Sequence, residues 1–511
     1  MKLFYDHIIV GGGTSGCIVA AKLAEADKKV ALFEAGPSDE NNILIKDISK
    51  WDKLLYTELD YQYPVNNSNI IYSRGKVLGG CDSHNSGIAF ETPDEDLIDW
   101  VNAGAEGWDP ENVKFYFKNI RKRINFERAR DESNFVKSVF KSANESGLKN
   151  ISFNRGDNDR IGIGWFDLKK KGIIRQSSSS EYLHPLSDWK DRITFYLETQ
   201  VNKLIINDDK RVLGVNTSKG NFFTSNEIII CCGAIDTPKL LLLSGIGDQE
   251  YLKSINIEVV HHLPGVGMNL MDHPETVINW ELKDSVVFDL SKTTTNWEIG
   301  IFDKISDPEE LRKNSPNIMM HLGTVPFDIN TKLCGYPTSE NGFCLTPNIM
   351  RPKSRGFVKL NPINPNFPPL IELNYFDNNY DKRLIIAGFK KAREIANQFP
   401  LKKWIKRELS PGIEVQTDEE IFDYIKKTCN TVYHACGTCK MGRMDDKSTV
   451  VDSQLKVKGI KGLRIADASI FPTIVGVNPC ITVMMVGEKC SDFIINERKL
   501  YTEKHRYNAK L

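Results

Sequence analysis

Phe4-Tyr-Asp-His-Ile-Ile-Val-Gly-Gly-Gly-Thr-Ser-Gly16 decides the fold. Phe4–Val10 ends on three β-branched residues and reads as a short buried strand. Gly11 permits the tight turn that follows, Gly13 lets backbone approach a pyrophosphate, and Gly16 packs a helix on the strand. Thr14 and Ser15 lead into the helical run Cys17–Ala26, whose N-terminus offers free N–H groups and a positive dipole to phosphates. A second strand, Lys29–Phe33, ends on Glu34, 18 positions after Gly16 and placed to accept hydrogen bonds from a ribose 2′-hydroxyl. An acid there disfavours a 2′-phosphate, and hence NADP. The glycine pattern alone is weak evidence; strand, helix, strand and terminal acid in register predict a dinucleotide fold.

A second glycine-rich stretch runs from Arg74 to Phe90 and contains Gly79-Gly80-Cys-Asp-Ser-His-Asn-Ser86. Gly79 and Gly80 let backbone approach something flat and negatively charged. His84, between Ser83 and Asn85, would by itself be a satisfied loop histidine. Beside a complete nucleotide fingerprint it becomes a candidate cofactor contact.

The chain has 511 residues, enough for two or more packed domains, with 41% hydrophobic and 26% charged residues. Lys+Arg and Asp+Glu both count 67, so there is no electrostatic footprint for nucleic acid or an anionic membrane. Lys169-Lys170-Lys171 reads as a solvated turn. The 11 cysteines are scattered and odd in number, which suits reduced thiols in an intracellular compartment. Cys436-Gly-Thr-Cys439 matches redox spacing without the thioredoxin context, and chance is the better reading. No apolar run reaches membrane-spanning length.

Further along, Glu227–Cys232 reads as a buried strand running into Gly233-Ala234, and a helix opens at Thr237-Pro238. From Glu281 to Asn430 the pattern changes to separated strands and polar loops, with helical runs near Tyr380–Phe399 and Thr417–Thr428. The end returns to a nucleotide-binding pattern, in which Gly462–Ala466 is a strand ending on Asp467 and Asn478-Pro479 opens an apolar helix. Asp467 suits the sugar and phosphates of a long cofactor, or serves only as a helix cap.

Gly11–Gly16, Arg74–Gly80, Gly233–Gly247, Pro264–Gly267, Asp272-His273-Pro274 and Ala466 through Thr482, in that order, resemble the glucose–methanol–choline (GMC) oxidoreductases. The resemblance runs from about Tyr5 to Ile495. It implies FAD rather than NAD, and an α/β Rossmann-like FAD-binding domain with an inserted α+β substrate domain containing an antiparallel sheet. The expected boundaries are 1–133, 187–280 and 432–497 for the FAD-binding domain, 134–186 and 281–431 for the substrate domain, and 498–511 for a tail. Within the family the likeness is to choline-oxidising members, in Cys81 and His84-Asn85-Ser86, Asn317–Asp328, Gly335–Gly342, Glu408–Gly412 and Asn430–His434.

The resemblance implies a catalytic pair, His434 and Asn478, assisted by Ser86 and His321, with FAD attached covalently at His84. Gly11, Gly13, Thr14, Ser15, Gly16, Glu34, Gly79, Gly80, Asn85, Val201, Asp467, Pro479 and Thr482 would hold the cofactor. Glu281, Trp51, Trp297, Phe327 and Tyr433, lined by Val432, match a pocket for a trimethylammonium group. The implied reaction oxidises choline to betaine aldehyde and then glycine betaine, with molecular oxygen as acceptor giving peroxide, in a homodimer. Two rivals stand beside it. One is a flavin dehydrogenase of another primary alcohol using a different acceptor. The other is a catalytically silent flavin-binding scaffold, which should have lost His434, Asn478 or the aromatic set.

This chemistry needs those residue types. Hydride loss from an alcohol requires removal of the hydroxyl proton, and a histidine titrates in the right range to take it. A quaternary ammonium has no N–H to donate, so aromatic faces and a carboxylate must recognise it. Two features depart from the family pattern. Asp82 stands where a small hydroxyl residue is usual, and after Ile120 a segment is replaced by the charged run Arg121–Asp131. The chain ends Ala509-Lys510-Leu511, one exchange from a peroxisomal address, so the expected location is cytoplasmic, or peroxisomal in a eukaryote.

Overall fold

The computed structural model describes residues 4–128, 133–154, 160–185, 191–283, 294–312 and 314–508. The tail tripeptide Ala509–Leu511 and part of the charged run after Ile120 lie outside them. The fingerprint strand Phe4–Val10 sits inside a seven-stranded sheet. Its order is Ile193–Tyr196, Val30–Phe33, Phe4–Val10, Gly220–Ile230, Val212–Thr217, Val201–Ile206, and Leu463–Ile465 also pairs with Gly220–Ile230. The pairs from Ile193–Tyr196 to Gly220–Ile230 are parallel, as is the pair with Leu463–Ile465, whereas the last two strands join antiparallel. The parallel strands read as unbroken apolar runs because both faces are covered: Ile8, Ile9, Val30–Leu32 and Ile228–Ile230 are all buried.

The first helix starts at Thr14 rather than Cys17 and packs against the long C-terminal helix Cys480–Asn508. Gly16 is forced by this geometry, since a Cβ there would lie 2.0 Å from the Gly11 carbonyl oxygen. The two glycine-rich loops meet directly: the Gly79 amide donates to the Gly12 carbonyl at 2.7 Å. A Cβ on Gly80, whose φ is 56°, would stand 2.8 Å from the Gly13 Cα.

The second sheet is antiparallel and eight-stranded, in the order Ile405–Ser410, Ile278–Leu282, Gly342–Ile349, Ile318–Gly323, Ile299–Asp303, Gly162–Trp165, with Pro274–Glu275 and Asn430–Thr431 at one side. Alternation sorts its residues. Ile318, Met320 and Leu322 join a core shared with the helices Asn134–Glu145, Asn379–Asn397 and Asp418–Thr428, while Met319 and His321 face the other way. The fold is thus the α/β GMC-type architecture the motifs implied, with an antiparallel sheet beside a parallel one.

One expectation fails here. Lys169-Lys170-Lys171 is not a solvated turn but the end of the strand Asp167–Lys171, with Lys169 and Lys170 buried. Each is buried because it has a carboxylate partner distant in sequence: Lys169 pairs with Asp82, and Lys170 with Glu127 at 2.9 Å. The run after Ile120 continues the helix Pro110–Arg123 and adds the strand Phe126–Arg128 beside Asp167–Lys171.

Candidate active site

A cavity of about 790 Å³ is bounded by both glycine loops and by the inner face of the antiparallel sheet. Of the residues assigned to the cofactor, Gly11, Gly13, Thr14, Ser15, Glu34, Gly80, His84, Asn85, Val201, Asp467 and Pro479 line it. Gly16, Gly79 and Thr482 do not. Gly16 and Gly79 shape the loops from behind, and the Thr482 hydroxyl bonds that of Thr92 at 2.8 Å. Glu34 accepts the amides of Gly12 and Gly36 at 2.9 and 2.8 Å, and burial pushes its carboxyl up to about 7. Asp467 is a cap and a cavity wall at once: it accepts from the amides of Gly233 and Ser469 and the Thr237 hydroxyl at 2.9, 2.8 and 2.6 Å.

The same cavity takes His434, Asn478, Ser86, His321, Trp51, Trp297, Phe327, Val432 and Tyr433. Trp297 stands edge-on to Phe327 at 5.5 Å between ring centroids and to His321 at 6.4 Å. Trp51 lies on the short helical segment Ile48–Leu54 and donates its indole N–H to the Thr295 carbonyl at 3.3 Å. His84 reaches the end of that segment, with its Nε2 3.0 Å from the Leu54 carbonyl.

Glu281 is not in this cavity. Its strand is paired so that Glu281 stands opposite Arg407, and its carboxylate bonds Arg407 at 2.6 Å and Lys406 at 3.1 Å, both half in solvent. Those cations hold its carboxyl below the ordinary glutamate value. Besides Glu34, Asp236 and Asp467, which lie on the dinucleotide-fold side, a carboxylate of the antiparallel sheet does line the cavity: Glu275, buried, with desolvation pushing it up to about 8. Face parity could have found it: in an extended segment Glu275 shares a face with His273, two residues back in the Asp272-His273-Pro274 motif. Glu281 has the same parity but lies six residues further on, roughly 20 Å along a strand.

His434 is held by partners that sequence reading did not assign to the site. Its Nδ1 is 2.8 Å from Nδ1 of His273, whose Nε2 is 3.0 Å from the Met350 carbonyl. A carbonyl only accepts, so His273 donates from Nε2 and must accept at Nδ1. His434 therefore carries its proton on Nδ1 and presents a lone pair at Nε2, where the Asn478 amide stands at 3.4 Å. Burial holds His434 well below the usual histidine range, with His273, His321 and Arg74 adding to the effect. The buried oxygen Oδ1 of Asn478 has no partner among the described residues.

The backbone that carries His434 is strained. Tyr433 has φ of 63°, a conformation costing about 1–3 kcal/mol for a bulky residue. Three bonds enforce it. The Tyr433 amide donates to the Thr431 hydroxyl at 2.7 Å, the His434 amide to Asp272 at 2.9 Å, and Arg74 to the Tyr433 carbonyl at 2.6 Å. Asp272 in turn accepts the hydroxyls of Tyr375 and Thr431 and the His273 amide.

Two family models, both described as GMC oxidoreductase, match residues 5–275 and 352–487. The chain is 41% identical to choline oxidase of Arthrobacter globiformis, over 97% of its own length and 95% of that protein's. It is 32% identical to an alcohol dehydrogenase [acceptor] of Pseudomonas putida, over 96% of each. Among solved structures, a formate oxidase superposes with a TM-score of 0.87 at 25% identity, covering 98% of this chain and 99% of that one. A fingerprint for a dinucleotide and a buried histidine–amide pair in one cavity, on a chain matched almost end to end, lead to one conclusion: this protein belongs to the GMC oxidoreductase family and is an FAD-dependent oxidoreductase.

Proposed function

We propose that the protein oxidises choline to betaine aldehyde, and the aldehyde's hydrate to glycine betaine, with molecular oxygen as acceptor and hydrogen peroxide as product. The observation that carries this reading is Glu275: a buried carboxylate of the antiparallel sheet that lines the same cavity as Trp51, Trp297, Phe327, Tyr433 and the His434–Asn478 pair. Each aromatic face contributes roughly 0.5–2 kcal/mol to a desolvated cation. A carboxylate at about 4 Å contributes on the order of 4 kcal/mol at an effective dielectric near 20, before desolvation. The 41% identity to a choline oxidase supports the same substrate.

The residues present fit FAD. The fingerprint amides and Glu34 suit pyrophosphate and ribose, and the cavity is continuous from them to His84 and Asn478. Bound FAD supplies the hydride acceptor. The protein's own part is to hold and deprotonate the alcohol. His434, kept in the tautomer with Nε2 free, takes the hydroxyl proton there, and the resulting imidazolium stabilises the alkoxide. His273 and the Met350 carbonyl prevent the imidazole from turning. Asn478 fixes the oxygen beside it, and Glu275 with the rings fixes the other end of the substrate. Anaerobic titration with choline should bleach the flavin absorbance, and admission of oxygen should restore it with one peroxide per two electrons. A flavin that bleaches but does not reoxidise in air would assign another acceptor.

Covalent attachment at His84 belongs to the same proposal. Burial lowers the His84 pKa in spite of the bond to the Leu54 carbonyl, which favours the charged form, so the ring is held neutral. A neutral imidazole is the nucleophilic form. After denaturation, flavin fluorescence should travel with the polypeptide, and His84→Ala should release it. Flavin lost quantitatively from the unaltered protein would refute the linkage.

Glu275 also sets a pH dependence. The cation pairs with the ionised carboxylate, whose pKa in the free cavity is about 8. Tetramethylammonium, which offers charge and shape without a reacting hydroxyl, should bind about tenfold more weakly per pH unit below that value and level off above it. Its binding at pH 7 should release a proton, measurable by calorimetry in buffers of different ionisation enthalpy. A pH-independent inhibition constant would place the recognising anion elsewhere.

A further inference from the structure

Behind the His84 loop lies a buried ionic cluster that the mechanism above does not use. Lys169 and Arg175, from adjacent strands of the small sheet, are 1% and 3% exposed, and Asp82 is fully buried between them. Asp82 pairs with Lys169 and accepts the Ser178 amide at 2.7 Å. Arg175 donates to the Asp82 carbonyl at 3.2 Å and to the Asn85 side chain at 3.3 Å, and its Nε to the Ile45 carbonyl at 2.9 Å. Its Nη2 is buried with no partner among the described residues. The cluster touches the cavity through two lining residues. The Cys480 sulfur stands 3.2 Å from the Lys169 ammonium and 3.3 Å from Asp82, and Asn85 contacts Arg175. Cys480 is also the first residue of the C-terminal helix, where the dipole is positive.

Formal charges make the physical point. One anion and two cations leave an excess positive charge in a low-dielectric wall, which is costly to bury unless something negative faces it. No carboxylate in this group balances Arg175, whose partners are carbonyl and amide oxygens. The isoalloxazine of FAD becomes negative when it takes up a hydride: two electrons and one proton arrive, and one unit of negative charge remains on the ring.

We propose that Asp82, Lys169 and Arg175 are positioning residues that set the electrostatic potential at the flavin, the two cations favouring its anionic reduced form and Asp82 tempering them. The departure at position 82 is then one half of a matched pair with Lys169. This inference rests on FAD occupying the cavity.

Sulfite tests it without substrate. Its lone pair adds to the oxidised ring, no electrons leave, and the ring gains the same negative charge, so adduct affinity reads the local potential. Lys169→Met should weaken sulfite binding by threefold or more and lower the flavin's two-electron potential in proportion, about 30 mV for each tenfold. Asp82→Asn should move both in the opposite direction, and Lys169→Arg should stay within twofold of the parent. A merely structural role would move Lys169→Met and Asp82→Asn the same way, which would overturn the proposal, as would a shift below threefold in Lys169→Met. Should Lys169→Met fail to fold, Asp82→Asn decides alone: tighter sulfite binding supports the proposal, and unchanged or weaker binding refutes it. The yellow colour of the unaltered protein separates the two readings, since a colourless preparation would count against FAD itself.

Discussion

Glu275→Gln is expected to lower kcat/KM for choline by roughly 30- to 1,000-fold, the equivalent of about 2–4 kcal/mol lost from a desolvated charge pair. The isosteric neutral alcohol 3,3-dimethylbutan-1-ol should change by less than about fivefold, because it never made that pair. In the unaltered enzyme this analogue should react at least tenfold less efficiently than choline. Glu281→Gln is the internal control. Its partners Lys406 and Arg407 stand at the protein surface, where such pairs are worth about 0–1 kcal/mol, so choline turnover should stay within about twofold. Equal losses on both substrates in Glu275→Gln would make the residue structural and reduce the substrate to an unspecified alcohol.

His434→Ala should cost about 10²- to 10⁴-fold in the rate of flavin reduction, the usual span for loss of a positioned base. The tautomer chain adds a second, sharper expectation. His273→Leu removes the acceptor that, among the described residues, faces the His434 Nδ1–H, so the imidazole is no longer held with Nε2 free. Flavin reduction should slow by tenfold or more in His273→Leu, while tetramethylammonium binding, which depends on Glu275, stays within about threefold. Because His434 is held far below the ordinary histidine range, it should give no limb near pH 6.5. The ascending limb of kcat/KM should lie near 8, belong to Glu275, and vanish in Glu275→Gln. A limb near 6.5 that persists in Glu275→Gln would show that His434 is more basic than its surroundings imply.

Local patterns were readable without coordinates because their causes are local. The Phe4–Val10 strand, the glycine turn, the helix and Glu34 follow from β-branching, missing Cβ atoms and dipole geometry within one short segment. Helix boundaries moved by a few residues, as at Thr14 against Cys17, because capping depends on how the Gly11–Gly13 turn closes. The presence of His434, Asn478 and the aromatic residues was also legible, through the order of their motifs. Their arrangement was not. The 2.8 Å contact that fixes the His434 tautomer joins residues 161 apart, and Asp272 reaches the His434 amide across 162.

Two matters needed the folded chain, and both concern buried charge. A glutamate in a strand looks the same at position 275 or 281; which one is desolvated depends on strand pairing, which puts Arg407 opposite Glu281 and leaves Glu275 facing the cavity. Three successive lysines suggest a solvated turn until Asp82 and Glu127 arrive from elsewhere in the chain to neutralise two of them. Residue order alone specifies the dinucleotide half of the fold, the family and the chemical inventory of the site. Packing in three dimensions sets which ionisable groups lose their water and beside what partner, because that energy depends on neighbours brought together only by folding.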